Sequence, residues 1–351
     1  MVFKRLFKTN SLLTKRQLKR LNFALIGCGA IGERHAAIIA THGNLQAVCD
    51  IDARKAKAFA RRFDTAYYLS TQALFAAEKT IDVAVVCTPS GLHHLHTTEA
   101  LKNGAHVLCE KPMAITAAHA QKMIAAAKHY NRKLFVVKQN RYNPPVAFVQ
   151  QLLAQKKLGR VYSFQLNCFW NRNTSYYQQS DWKGTQQYDG GVLFTQFSHF
   201  IDLLCWYFGT LSVVKAIWQN VAHSTVSEVD DEGAVLLTDP SGMLGSVHYT
   251  INAHKKNMEG SLTIFGEKGT VKIGGQYLNT LEYFEVKGMR KPTLPAGKKA
   301  NEYGYYQGSM SNHEAVYKNL SAVLRGKTTT YVSGEDGLRS VELIERIYRG
   351  G

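Results

Sequence analysis

Residues 22–54 read NFALIGCGAIGERHAAIIATHGNLQAVCDIDAR, and this stretch decides the fold class. The apolar run Phe23–Ile26 leads straight into Gly27, Gly29 and Gly32, spaced G-x-G-x-x-G. The first glycine permits a tight turn, the second lets a pyrophosphate approach the backbone, and the third lets helix pack on strand. The helix that follows, opening at Ala30 and Ile31, aims its free N–H groups at an anion. Asp50 stands 18 residues beyond Gly32, where a carboxylate can bond both ribose hydroxyls of NAD. Asp50 favours NAD, because a 2′-phosphate would meet its negative charge, while Arg54 leaves NADP open.

The alternation continues downstream. Residues 53–63 read as a helix, 81–89 (IDVAVVCTP) as an apolar strand buried on both faces, and 93–104 as a helix closed by Gly104. Residues 106–112 (HVLCEKP) form the next strand, 117–131 a helix and 133–140 a strand. Strand and helix at this spacing predict a doubly wound parallel sheet, with ligands at the carboxyl ends of its strands. Thr88-Pro89, Glu110-Lys111-Pro112 and Gln139-Asn140-Arg141 all fall at those ends.

From about residue 160 the pattern changes. Residues 161–170, 213–222, 232–252, 259–275 and 281–286 are strand-like, with hairpin glycines between several of them. Without intervening helices they predict an open, mostly antiparallel sheet. Residues 190–209 read as one helix bounded by glycines, and two more helices, 312–326 and 334–350, end the chain. The expected organisation is a basic extension (1–21), a Rossmann domain (22–140) and an α+β substrate and oligomerisation domain (141–351).

Bulk properties agree with a two-domain α/β enzyme. The 351 residues are 45% apolar and 20% charged, and no apolar run approaches the length of a membrane span. No signal-peptide pattern is seen, so cytoplasm is the expected compartment. Seven of the +17 formal charges fall in residues 1–21, which contain no acid. That leader reads as a solvated extension or as an arm that docks on a neighbouring subunit or anionic surface. The basic body suits a polyanionic small ligand, and no pattern for specific nucleic-acid recognition is present. None of the six cysteines sits in a C-x-x-C pair, which argues against zinc and redox motifs.

Two residues stand out for chemistry. Lys111 sits at a strand end before Pro112, where a turn, cis if proline permits, would aim an ammonium at the cofactor cleft. His199 lies in the 190–209 helix, one turn after Thr195 and Gln196, so the three are expected to share a polar face. On the residues alone it reads either as a proton acceptor or as a satisfied core histidine. His93, His94 and His96 begin a helix, and helix-end hydrogen bonding explains them better than a metal, since no carboxylate or cysteine completes a ligand set.

The runs GCGAIGERH, CTPSGLH, CEKPM and DGGVLFTQFSHFIDLLCW together resemble the glucose–fructose oxidoreductase / inositol dehydrogenase (Gfo/Idh/MocA) family of NAD(P)-dependent sugar enzymes. Residues 136–145, 169–185 and 256–275, with the CTPSGLH run, are similar to one branch, the bacterial UDP-N-acetylglucosaminuronate 3-dehydrogenases of surface-polysaccharide synthesis. The resemblance runs from about residue 22 to the end. It implies a Rossmann domain followed by an open-faced sheet through which homodimers or homotetramers form. It also implies Lys111 and His199 as the catalytic pair. Many relatives carry an aspartate four residues before the histidine and the uronate branch an asparagine; this chain has Thr195, so the basicity of His199 must be set by other neighbours.

The implied reaction is oxidation of a sugar C3 hydroxyl to the ketone, with NAD as hydride acceptor. The expected cofactor contacts are Gly27, Gly29, Ala30, Ile31, Gly32, Asp50, Arg54, Thr88, Pro89, His93, Glu110, Lys111 and Gln139. The expected substrate contacts are Lys111, Arg141, Tyr142, Asn143, Tyr176, Trp182, Asp189, Thr195, Gln196, His199 and, for a diphosphate, Lys256. No metal is expected. Some members of the branch keep NADH bound and reoxidise it with 2-oxoglutarate. The rivals are a free-sugar or inositol dehydrogenase, an NAD-dependent glycosidase of the same fold, and a non-catalytic cofactor-sensing regulator.

Overall fold

The computed structural model describes residues 20–302, 304 and 307–350. The basic leader therefore lies outside the described residues, apart from Arg20 and Leu21. The first half alternates as expected: β1 (Asn22–Ile26), α1 (Ala30–His42), β2 (Asn44–Cys49), α2 (Ala53–Phe63), β3 (Ala66–Tyr68), α3 (Thr71–Ala77), β4 (Val83–Val86), α4 (His93–Lys102), β5 (His106–Cys109), α5 (Ala117–His129) and β6 (Leu134–Val136). The strands form one parallel sheet in the order β3-β2-β1-β4-β5-β6. The order in which strands are added reverses between β1 and β4, which opens a crevice at their carboxyl ends. The short β3 and α3 escaped the sequence reading, because three residues carry no usable period. The strand expected to reach residue 140 stops at Val136, and residues 139–142 form a 3₁₀ turn instead.

The second half contains α6 (Pro144–Ala154), β7 (Val161–Phe169), α7 (Thr174–Gln178), α8 (Val192–Thr195), α9 (Ser198–Phe208), β8 (Ser212–Gln219), β9 (Glu232–Thr238), β10 (Leu244–Thr250), β11 (Glu259–Gly266), β12 (Gly269–Gly274), β13 (Thr280–Val286), β14 (Ala300–Glu302), β15 (Gln307–Met310), α10 (His313–Leu324) and α11 (Gly334–Tyr348). Seven strands pair in the order β13-β12-β11-β7-β10-β9-β8, antiparallel except where β7 meets β10 in parallel. One face packs Phe164, Leu166, Val235, Leu237 and Val247 against Phe200, Leu203 and Leu204 of α9. The opposite face exposes Ile217, Leu236, Leu244, Phe265 and Tyr283.

Residues 190–209 are not one helix. The chain breaks at Gln196–Phe197, between α8 and α9. The Gln196 side chain is held between the Arg172 guanidinium, which donates to Oε1 (2.7 Å), and the Tyr176 hydroxyl (2.7 Å). Thr195 and Gln196 therefore do not share a helical face with His199, contrary to the spacing argument.

The two sheets are tied together by buried charge and by a returning chain. Arg141 in the 3₁₀ turn forms a two-pronged bond with Asp202 of α9 (2.8 and 2.8 Å), and the Lys138 ammonium lies 3.4 Å from the same carboxylate. Val316, Tyr317, Leu320 and Val323 of α10 enter the core formed by Phe23, Leu25 and Val85 of the first domain. Val136 donates to the Val332 carbonyl (3.1 Å), extending the β6 edge. The boundary expected at residue 140 thus separates the sheets, while α10 packs with the first one.

Asp202 is buried between two cations, so removing its charge leaves both uncompensated. Asp202→Ala is expected to cost about 3–5 kcal/mol of unfolding free energy. Denaturant titration checks this; a loss below about 1 kcal/mol, the worth of an exposed pair, would show that the bridge does not hold the domains.

Candidate functional site

The glycine turn has the shape that a dinucleotide needs. Gly27 has φ +103°, and a Cβ there would meet the Cys87 backbone. A Cβ at Gly32 would run into the Gly27 carbonyl oxygen, so helix and strand approach this closely only without one. At Gly29 the same position is open space. Gly29 and Ala30 are exposed, and no side chain caps the N-terminus of α1, which leaves its first N–H groups facing outward. The Asp50 carboxylate accepts from Cys28 N–H (2.8 Å) and Asp52 N–H (2.8 Å), tying the end of β2 to the turn. Each oxygen retains a lone pair for a ribose hydroxyl. These features fit NAD. Arg54 points away from a buried partner: its side chain is 94% exposed and lies 3.5 Å from Asp52, the cap of α2.

Across the crevice, β4 and β5 deliver the second set. Thr88 and Pro89 are half-buried at the end of β4. His93, expected beside the cofactor, is buried instead, with Nδ1 2.8 Å from the Pro112 carbonyl and Nε2 2.9 Å from that of Thr88. It locks the turn after Lys111 to the end of β4. The Lys111-Pro112 peptide is cis. Glu110, also expected at the cofactor, is buried beneath that turn and accepts from the Lys111 N–H (2.9 Å).

Lys111 reaches into the second domain, where its ammonium donates to the Thr195 carbonyl (2.6 Å). Burial lowers its pKa to about 8, against the pull of Glu110 and Asp189 and with the help of Lys138 and Arg172. The Thr195 hydroxyl donates to Asp189 (2.7 Å), which also accepts from Gly184 N–H (2.8 Å). Burial lifts the Asp189 carboxyl to about 6 despite those two bonds. A carboxylate thus lies six residues before Thr195 and is bonded to its hydroxyl, on the Lys111 side of the site.

His199 opens α9 and is only 2% exposed. Its Nε2 lies 3.2 Å from Gln139 Nε2 and 3.2 Å from Ser309 Oγ. Burial, then the charges of Lys111 and Lys138, hold its pKa well below the usual imidazole value. The Lys111 ammonium meets the Thr195 carbonyl four residues before His199 in the chain, and its charge bears on the imidazole. Gln139, expected at the cofactor, is turned onto His199 and donates to Ser309 Oγ (2.9 Å).

The other expected substrate contacts divide. Tyr176, Gln196 and Asp189 surround Lys111 and Arg172; the Lys183 ammonium lies 4.2 Å over the Tyr176 ring. Trp182 is half-buried in the same segment. Arg141 and Asn143 do not face this cleft. Arg141 is spent on Asp202 and Asp336, with its guanidinium 4.9 Å over the Trp206 ring. Asn143 is fully buried, donating to the Tyr277 carbonyl (3.0 Å) and accepting from Asn312. Tyr142 packs against the first-domain core. Lys256 is exposed in the loop between β10 and β11. Arg172, Lys183 and Ser309 were not selected from the sequence. The first two fall within the quoted 169–185 run, and a buried arginine at a strand end was the available signal.

Among the described residues no helix is long and apolar enough to cross a membrane. Residues 21–138 match the model of an oxidoreductase family with an NAD-binding Rossmann fold, and residues 146–272 match the GFO/IDH/MocA C-terminal domain. The structure superposes on the WlbA dehydrogenase of Chromobacterium violaceum, solved with NADH and UDP-GlcNAcA, with TM-score 0.85 and 34% identity over 94% of this chain and 93% of that one. The Bordetella pertussis WlbA dehydrogenase, solved with the same two ligands, gives TM-score 0.84 and 32% identity over 94% and 96%. A D-apiose dehydrogenase of Paraburkholderia graminis is 25% identical over 95% of this chain and 88% of its own length. With both halves matched in order and the glycine turn built for the dinucleotide, the chain belongs to the Gfo/Idh/MocA family as an NAD-dependent oxidoreductase of the sugar dehydrogenase kind.

Proposed function

We propose that the protein oxidises the C3 hydroxyl of a nucleotide-linked sugar uronate, UDP-N-acetylglucosaminuronate or a near relative, to the 3-keto sugar. The observation that carries this reading is the meeting of Lys111, from the nucleotide-binding domain, with the Thr195–His199 segment of the second domain. Similarity to two dehydrogenases solved with NADH and UDP-GlcNAcA supports the substrate class.

Gly27–Gly32 and Asp50 would hold NAD, which when bound would supply the acceptor for the hydride and its electron pair. Ile51, 91% exposed beside Asp50, offers an apolar surface for the adenine. His199 takes the hydroxyl proton at Nε2 once the substrate hydroxyl displaces the Gln139 amide and Ser309 hydroxyl, each 3.2 Å from that nitrogen. The Lys111 ammonium stabilises the oxygen as negative charge develops on it, leaving the Thr195 carbonyl to do so. Arg172 and Lys183 beside Asp189 give the cleft positive character suited to a carboxylate or diphosphate. Tyr176, Trp182 and Thr195 form the sugar wall, and Lys256 waits at the rim for phosphate. Reoxidation by 2-oxoglutarate would make the bound nucleotide a recycled carrier.

The protein is proposed to pair with a second copy through the outer face of the seven-stranded sheet, which carries no helix layer among the described residues. Ile217, Leu236 and Leu244 there are each more than half exposed.

Purified protein with NAD and UDP-N-acetylglucosaminuronate, with and without 2-oxoglutarate, should yield 3-keto product by mass spectrometry. Turnover of a free sugar alone would move the reading to the sibling class. The reaction needs His199 neutral and Lys111 protonated. Activity should therefore be flat through neutrality, fall above pH 8 as Lys111 loses its proton, and fall below pH 6 as Asp189 and then His199 gain theirs. A rate that climbs through pH 8 would instead make Lys111 the proton acceptor. Leu236→Lys with Ile217→Lys should lower the mass measured by light scattering while leaving the circular dichroism unchanged; an unchanged mass removes the sheet face as the interface.

A further inference from the structure

Beneath Lys111 lies a cluster of buried polar groups. Glu110 Oε1 accepts from His35 Nε2–H (2.8 Å), and His313 Nε2 lies 3.5 Å from the same oxygen. Its other oxygen accepts from the Lys111 N–H (2.9 Å). His35 Nδ1 is in turn 2.7 Å from the Tyr317 hydroxyl. The groups come from three places: His35 from α1, whose N-terminus is the glycine turn, Glu110 from the end of β5, and His313 and Tyr317 from one face of α10. All four are almost completely buried.

We infer that Glu110 is a positioning residue for Lys111, clamped by His35 and His313 so that its carboxylate fixes the lysine backbone and supplies the counter-charge for the ammonium. The assignment rests on the proposed role of Lys111. His93 grips the far side of the same turn through the Pro112 carbonyl, so Lys111 is held from both flanks. Burial would drive a proton onto Glu110, but the His35 hydrogen bond and the close approach of His313 outweigh it and hold its pKa well below the usual carboxylate range. The groups that bear on the ammonium are Glu110 and Asp189, which favour its proton, and Lys138 and Arg172, which oppose it. His199 faces the same charge. Removing the charge of Glu110 leaves Asp189 alone against two cations.

Glu110→Gln keeps the volume and an acceptor for the Lys111 N–H but deletes the charge. It should lower kcat about 10- to 100-fold, with NAD affinity by fluorescence titration unchanged. The alkaline limb of the pH profile should move down by about one unit. The same shift is expected in the pH dependence of Lys111 acetylation followed by mass spectrometry, a reading that needs no substrate. If no sugar is turned over, the acetylation profile still tests the clamp, so the two proposals fail separately. Tyr317→Phe, which removes only a hydroxyl, should give a smaller shift of the same sign and serves if Glu110→Gln does not fold. Unchanged Lys111 profiles in both variants would make the cluster merely structural. One equivalent of a divalent metal in the purified enzyme, lost with activity on chelation, would make His35, Glu110 and His313 a metal centre and overturn the assignment.

Discussion

The ammonium of Lys111 must leave one domain and end against a carbonyl of the other, and the rest of the site is arranged around that crossing. A buried cation is costly unless it is matched by acceptors and opposite charge. Lys111 has the Thr195 carbonyl in front of it and Glu110 behind it, with Asp189 one hydroxyl away. The domains cannot slide relative to one another without stripping that ammonium of its acceptor. Arg141, Lys138 and Asp202 hold the same junction a few residues from His199, so the group proposed to take the proton is anchored by buried charges.

The first sheet was legible because its signals are local. A glycine turn, strands buried on both faces and helices of ten residues or more each leave a period or a punctuation mark in the chain. The second sheet was legible as strands, but not in its one parallel pairing, since β7 and β10 lie some eighty residues apart and pairing direction leaves no local trace. Lys111 was singled out for its strand-end position and His199 for its glycine-bounded helix and the family resemblance, and the structure sets Lys111 against the segment that leads into His199. Arg141, Asn143, Glu110 and His93 were misread for the same reason. They sit at strand ends or in the turn that follows, but their side chains are consumed by neighbours from distant parts of the chain. Asp202, His313 and Ser309, their partners or those of His199, carry no mark that distinguishes them from ordinary surface residues.

The break between α8 and α9 shows how a polar side chain can decide backbone shape. A continuous helix would satisfy the apolar residues Val192, Phe194, Phe200 and Leu204 about equally well. Gln196 instead lies between Arg172 and Tyr176, and the interruption turns the Thr195 carbonyl outward to meet Lys111. Freeing one carbonyl from helical bonding creates an acceptor where the cation needs it.

The return of α10 into the first core has a consequence for biogenesis. Val316, Tyr317, Leu320 and Val323 complete a layer begun by Phe23 and Leu25, nearly three hundred positions earlier. A nascent chain emerging from the ribosome can build the glycine turn and its sheet early, yet that layer stays open to water until residues 316–323 have been made. Completion of the nucleotide-binding core therefore waits on the second half of the chain, and until then one side of the first sheet exposes apolar surface.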